Sequence, residues 1–407
     1  MALFVPNPES GPVEDLIEDL ARSVAAAYAA AEDELIREIA KRVKVDLDLA
    51  DRLPTAAGGM GLTVEERRRQ NRILAEMNAH RAQALRELQY AAARVVDRLR
   101  DENFARTIID IAAREGEAAA VARLGLVNLP GSRVPGVASL TGQASQAVAS
   151  ILLSLESRLE ALNQRLTRYP QDAYQRIVAA ITPNTLTGVT TSRIQQAQTV
   201  QRFLSEGING FTDRANRRWT IGAYAEMAGR TSVNRAFNDA AVWRMQQSGI
   251  NLVIVVRGLD SCRKCADWAG KILSTDGTPA GAVQVSHATR DERLTVIVAG
   301  TVDQARNAGW NHPNCRCRLV AYMPGLSVPQ GDTTYDEQAE KERAEQRRLE
   351  REIRAAKRRE AVATDDVSRA KAAAEVRAAQ GDMRQFISDT GRGRQSYREQ
   401  LHFSDGS

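Results

Sequence analysis

Apolar residues at Leu16, Ile17, Leu20, Val24, Tyr28, Leu35, Ile36, Ile39 and Val43 recur at steps of three and four, which predicts a long amphipathic helix over residues 13–43. The segment LPTAAGGMG interrupts it. Thr63, followed three residues later by Glu66, has the form of a capping box and opens a second helix, which continues through Ile73, Met77, Leu85, Leu88, Val95 and Leu99. A third helical run, FARTIIDIAAREGEAAAVARLG, ends at Gly125, and the Pro/Gly/Ser-rich VNLPGSRVPGVASLTG after it reads as a linker or arm. Helices resume at SQAVASILLSLESRLEALNQRLTRY, break at TPNTLTG, and reach WTIGAYAEMAGRTSVNRAFNDAAVWRMQQSG.

The pattern then changes. NLVIVVRG, RLTVIVAG and CRLVAYM are short β-branched or apolar runs separated by turn chemistry such as STDGTPAG, and they predict a small sheet. Beyond Pro329, YDEQAEKERAEQRRLEREIRAAKRREA is a charged helix whose apolar stripe is only Leu349, Ile353 and Ala356. Such a stripe is expected to leave a solvated helix laced with i,i+4 ion pairs, ordering fully only against a partner or along the preceding module. The expected fold is mainly α. It has long N-terminal and central helices, a small α+β C-terminal module clamped by a Cys/His site, and a charged helical tail. The expected division is residues 1–125, a linker or arm at 126–143, a central helical region at 144–250, the Cys/His module at 251–329 and the tail at 330–407.

Composition changes this picture little. A chain of 407 residues exceeds the size at which one core keeps growing, so two or three folded units or an extended shape are expected. Aromatics at 5% are scarce, and Ala/Glu/Arg/Leu-rich stretches replace them, which is the composition of long helices. The 56 basic and 51 acidic residues interleave, so a nucleic-acid partner is permitted and not demanded. MALFVPNPESGPVEDL has no basic segment ahead of an apolar core, so no secretory signal is read, and no uncharged run suits a bilayer. Synthesis in a reducing cytosol follows, where clustered cysteines are more often metal ligands than disulfides.

The chain has four cysteines, in two short pairs: Cys262 and Cys265 as C-x-x-C, Cys315 and Cys317 as C-x-C within GWNHPNCRCRLVAYM. Two pairs joined by a loop can supply the four soft ligands of a structural zinc ion. Two disulfides, or four merely neighbouring thiols, are the alternatives. His312 is a fifth candidate, either replacing one thiolate or donating from an outer shell. In a strand beginning near Cys315, residues two apart would share a face, and Pro313 is expected to aim His312 and the chain after it into that strand. The intervening segment offers too few large apolar groups for a dry core of its own, so a cross-link is expected to hold it folded. A nucleophilic cysteine would need a base, and His287 and His312 sit in no nucleophile signature, so no enzyme activity is expected.

FTDRANRRWTIGAYAEMAGRTSVNRAFNDA, then DSCRKCADWAGKILS and NHPNCRC, resemble the minor capsid protein 2 family of tailed bacteriophages, related to the Mu F-like head-morphogenesis proteins. The likeness runs through Trp219, Tyr224, Glu226, Met227, Arg230 and Thr231, then the cysteines, Gly270, Lys271 and His312, and the tail is similar to the family's C-terminal pattern. Where a histidine is expected just before the first cysteine pair, this chain has RGLDSC, with Asp260. The resemblance implies a structural or DNA-handling head component, present in few copies near the portal vertex, assembled in the host cytoplasm and retained in the virion. Its implied partners are portal, capsid or scaffold proteins and, in a DNA-binding reading, the packaged genome. No membrane and no small-molecule substrate are expected. A virion-carried hydrolase or toxin-like enzyme is the competing class. For the signature residues, packing is expected over chemistry: Trp219 and Tyr224 in the core, Glu226 with Arg230 as an i,i+4 pair.

Overall fold

The computed structural model describes residues 13–54, 61–125, 146–186, 200, 203–204, 209–212, 216, 218–258, 261–328, 334–363 and 365–401. The expected linker at 126–143 and Asp260 lie outside them. The helices are α1 (Val13–Ala50), α2 (Val64–Asp101), α3 (Phe104–Gly125), α4 (Gln146–Leu186), α5 (Ile221–Gln247), the single turn α6 (Arg263–Ala266), α7 (Val302–Asn307), α8 (Glu337–Ala361) and α9 (Asp366–Thr390). The strands are β1 (Asn209–Thr212), β2 (Arg218–Thr220), β3 (Leu252–Val256), β4 (Ile272–Ser274), β5 (Gly281–Ser286), β6 (Arg293–Thr301) and β7 (Arg318–Ala321). The architecture is mainly helical with a small C-terminal sheet and a helical tail, as the periodicity predicts.

The chain folds as two units, each assembled from three stretches: Met1–Ala25, Asn103–Glu160 and Tyr224–Arg343 in one, Ala26–Glu102, Ala161–Ala223 and Ala344–Ser407 in the other. In the first, β5-β6-β4-β3-β7 form a mixed sheet in which only β4 and β6 run parallel. Its core joins Val253, Val255, Leu273, Trp310 and Leu319 to Ala241 and Met245 of α5 and to Ala120 and Leu124 of α3. The module's scarcity of large apolar groups is thus made good by α5, which directly precedes it, and by α3, which is distant in sequence. Gly116 lets α3 meet α5: a Cβ there would lie 2.2 Å from the carbonyl oxygen of Phe237. Helix α5 is buried on nearly every side, and Ala21 of α1 packs on its Gly229. Such small-residue seams are where an aromatic-poor, alanine-rich sequence finds its packing.

In the second unit the Thr63–Glu66 capping box opens α2 as its sequence predicts. Buried polar groups tie the helices together: Tyr28 donates to Asn163 at 2.9 Å, and Asp46 accepts from Arg81 at 2.9 Å and from Tyr174. The tail departs from expectation. Ion pairs line its exposed side, Lys341 with Glu337 and Arg348 with Glu345 and Glu352, but Leu349, Ile353 and Ala356 are buried. Leu349 and Ile353 pack against Met383, Ala379, Phe386 and Ile387 of α9, so the tail forms a helical pair within the chain and is not a lone solvated helix. A narrow stripe suffices because its partner supplies an equally narrow one.

Candidate metal centre

The C-x-x-C pair lies on one helical turn: Cys262 precedes α6, Cys265 is its third residue, and the Cys265 N–H donates to the Cys262 carbonyl at 3.0 Å. The second pair arrives through a loop with three residues in the left-handed region: Gly309 (φ 98°), Asn311 (φ 54°) and Asn314 (φ 66°). Asparagine tolerates that conformation better than other side-chain-bearing residues, which accounts for the N-x-x-N spacing around His312 and Pro313. A turn closes from the Cys315 N–H to the His312 carbonyl at 3.0 Å. Cys315 and Cys317 therefore sit in the loop ahead of β7, which starts at Arg318, and not within a strand; the left-handed Asn314 takes the chain out of the extended path that Pro313 suggests.

All five predicted donors converge nonetheless. Cys262, Cys265 and His312 form one group, and Cys265, Cys315 and Cys317 a second, with the donor atoms of each within 4.8 Å of one another. Cys262 Sγ lies 2.9 Å from His312 Nε2, and Cys265 Sγ lies 3.4 Å from Cys315 Sγ. All four cysteines are free, and all but Cys262 are buried. His312 Nδ1 lies 2.7 Å from the Pro313 carbonyl, the contact that leaves Nε2 for a ligand. Four thiols and an imidazole gathered this closely fit a thiophilic ion such as zinc, held by the four sulfurs or by three with His312 Nε2. Bound there, the ion would supply a cross-link between α6 and the loop before β7.

Proton sharing follows the crowding. The hydrogen bond from Cys265 lowers the Cys262 thiol to about 4, helped by His312 and opposed by burial. Cys317 falls to about 3, chiefly through hydrogen bonds from Cys265 and Cys315, with the Gly258 N–H and the Ser261 hydroxyl adding to them. Cys265 is raised strongly because its proton serves Cys262 and its neighbours. Cys315 rises to about 12: its bond from Cys265 lowers it, but its bond to Cys317 and burial prevail. The bond to Cys262 raises His312.

The family-like residues on α5 stand behind this loop. Arg230 donates to the Asn314 Oδ1 at 2.8 Å and pairs with Glu18 through two contacts of 3.0 Å and with Glu226 one turn back. Thr231 Oγ1 accepts the Asn314 N–H at 3.1 Å and donates to the Met227 carbonyl. Trp219 lies on β2 and Tyr224 in the first turn of α5, and both are half-buried, so neither is the core residue expected; neither is among the converging donors. The sequence reading passed over Asn234 and Asn238. Asn234 Nδ2 donates to the Cys315 carbonyl at 3.0 Å; Asn238 donates to the Cys317 carbonyl at 3.2 Å and accepts the Leu319 N–H at 2.8 Å. Their signal was available: Arg230, Asn234 and Asn238 recur at steps of four and Thr231 precedes Asn234 by three, so they share one face of the helix. His287 is occupied otherwise, its Nδ1 accepting the N–H groups of Thr289 and Arg290.

No curated protein and no solved structure matches the chain. A profile of the phage minor capsid protein 2 family does, over residues 14–388 of 407, and with a match covering both units and the whole Cys/His centre the chain belongs to that family of structural phage head proteins.

Proposed function

We propose that the protein is a non-enzymatic virion component that acts in head assembly beside the portal, in contact with portal, capsid or scaffold protein, and that Cys262, Cys265, Cys315 and Cys317 hold a structural zinc ion with His312 as fifth donor or outer-shell partner. The observation supporting this reading is the use of the signature residues: Glu226, Arg230 and Thr231 fix the loop that presents Cys315 and Cys317. A zinc enzyme keeps an open coordination position beside a general base, whereas a sulfur-rich and largely buried set is the structural type. Protein composition of purified proheads and mature heads tests the role, and zinc measured in the isolated protein tests the centre. Absence from both particles would overturn the first, and sub-stoichiometric zinc with freely reactive thiols the second.

Contact with packaged DNA is a second reading, favoured by α2. Its acids Glu76 and Glu87 pair with Arg52 and Arg42, whereas Arg68, Arg72, Arg86 and Arg94 are exposed along one side and, among the described residues, have no carboxylate partner. Affinity for duplex DNA should fall steeply with salt, and replacing one of these arginines by alanine should reduce the slope by about 1 if it contacts a phosphate. No binding at low salt would reject the reading.

A further inference from the structure

The sheet of the first unit has two edges that differ in kind. At β7 the outward Leu319 N–H is taken by Asn238 of α5. At β5 no such cover exists among the described residues apart from Arg293 of the neighbouring β6. The His287 N–H donates to the Glu292 carbonyl at 2.9 Å, so residues 287 and 292 lie at a hydrogen-bonded level of the antiparallel β5–β6 ladder. Pairing alternates along such a ladder, so Val285 with Leu294 and Val283 with Val296 are also bonded. The N–H and C=O groups of Ala282, Gln284 and Ser286 consequently point away from β6. Among the described residues their one recorded backbone contact on that side is Arg293 Nη2, 3.5 Å from the Gln284 carbonyl.

Exposed edges are ordinarily blunted by lysine, proline or inward-pointing charge. Gly281–Ser286, with sequence GAVQVS, contains none of these in a chain that is 26% charged. Beside it on β6, opposite Ala282, Ile297 is 66% exposed.

We propose that β5 pairs antiparallel with β5 of a second copy of this chain, joining two five-stranded sheets across a twofold axis. The register is fixed by the outward groups. With Gln284 opposite Gln284 of the other copy, Ala282 meets Ser286 and Ser286 meets Ala282, and the outward residues exchange about six backbone hydrogen bonds. Every cross-strand pair is then neutral: Gln with Gln, Ala with Ser, and Val283 with Val285. No like charges face each other among the β5 side chains, and the Arg293 guanidinium of each copy leaves the Gln284 carbonyl to free it for pairing. Other occupants, such as an extended arm of another head protein, would use the same groups but do not require this self-complementarity.

Sedimentation velocity of the full zinc-loaded chain across a concentration series tests the proposal. Wild type should show a reversible monomer–dimer equilibrium. Hydrogen exchange at the amides of Ala282, Gln284 and Ser286 should slow as dimer forms, while Val283 and Val285, already bonded to β6, change little. Gln284→Pro removes an outward N–H that β6 does not use, and should weaken association at least tenfold. Gln284→Lys leaves the backbone intact and places two ammonium groups across the axis, so it should weaken the dimer at low salt and recover in high salt; it decides the matter if the proline variant misfolds. Monomer at every concentration would overturn the proposal and leave the edge to another protein. A dimer indifferent to both substitutions would overturn it by placing the interface elsewhere.

Discussion

Asn238 holds two buried backbone groups at once, the Cys317 carbonyl and the Leu319 N–H, across the step from cysteine loop to strand. Asn238→Ala strands both in a dry site, and leaving buried polar groups unsatisfied costs about 1–3 kcal/mol each before relaxation. A loss of about 2–3 kcal/mol is expected in denaturant unfolding, together with faster loss of metal to a chelator. The proton inventory gives a second expectation at this scale. Cys262 and Cys317, held to about 4 and about 3, are thiolates at neutral pH, whereas Cys265 and Cys315 lie above their usual range and keep their protons. An ion bound by all four must displace about two protons, so apparent zinc affinity should rise by about two log units per pH unit between pH 7 and 8. Calorimetry in buffers of different ionisation enthalpy reads that number directly. A release near one would mean that a raised thiol is not a ligand. What was legible in the sequence at this scale was which side chains gather, the four cysteines and His312, since cysteine and histidine chemistry is local to the residue. The route of the second pair was not legible, because left-handed Asn311 and Asn314 put Cys315 and Cys317 in a loop where alternation suggested a strand.

Helices and strands are the level at which the chain announces itself best. α1, α2, α3 and β3, β6 and β7 all fall where periodicity and branching place them, because each is long enough or apolar enough for its pattern to stand above chance. The tail shows the limit. Its stripe of Leu349, Ile353 and Ala356 is visible, but whether a stripe meets water or a partner depends on a helix 30 residues further along. Ile353→Ala should therefore cost about 2–4 kcal/mol, the price of truncating a fully buried aliphatic side chain, in thermal or denaturant unfolding. Arg348→Ala, on the exposed side of the same helix, should leave the unfolding curve unchanged. The same contrast between propensity and packing applies to α3. Gly116→Ala would gain about 1 kcal/mol of helix propensity in an exposed helix, but its Cβ would stand 2.2 Å from the Phe237 carbonyl. Moving two backbones apart costs more than propensity returns, about 1–3 kcal/mol or above, so the substitution should lower the unfolding midpoint.

Across the whole molecule the chain passes five times between its two units, at residues 25–26, 102–103, 160–161, 223–224 and 343–344, and four of these passages lie inside α1, α4, α5 and α8. No local pattern marks such a passage, because a helix that changes unit does not change its period. Within the second unit, Arg358 of the tail helix reaches Asp33 at 3.1 Å and Glu32 at 3.5 Å, carboxylates of α1 that are almost wholly buried. The guanidinium is raised by those two acids despite the burial that opposes its charge. Removing the cation while two buried acids remain is the costly half of breaking a buried pair, about 3–5 kcal/mol. Arg358→Met, which keeps much of the side-chain volume, should thus destabilise the second unit severely. Restoring neutrality with Glu32→Gln and Asp33→Asn in the same chain should recover part of the loss. Truncation before Tyr335 removes the same cation along with α8 and α9, and should lower helical content by more than those two helices contribute. The Cys/His centre is built wholly from the first unit, so bound zinc should survive both changes. Circular dichroism with metal content on the same samples checks this. Helicity lost with zinc retained is the expected result, and zinc lost in step with helicity would show that the centre depends on the second unit's buried charges.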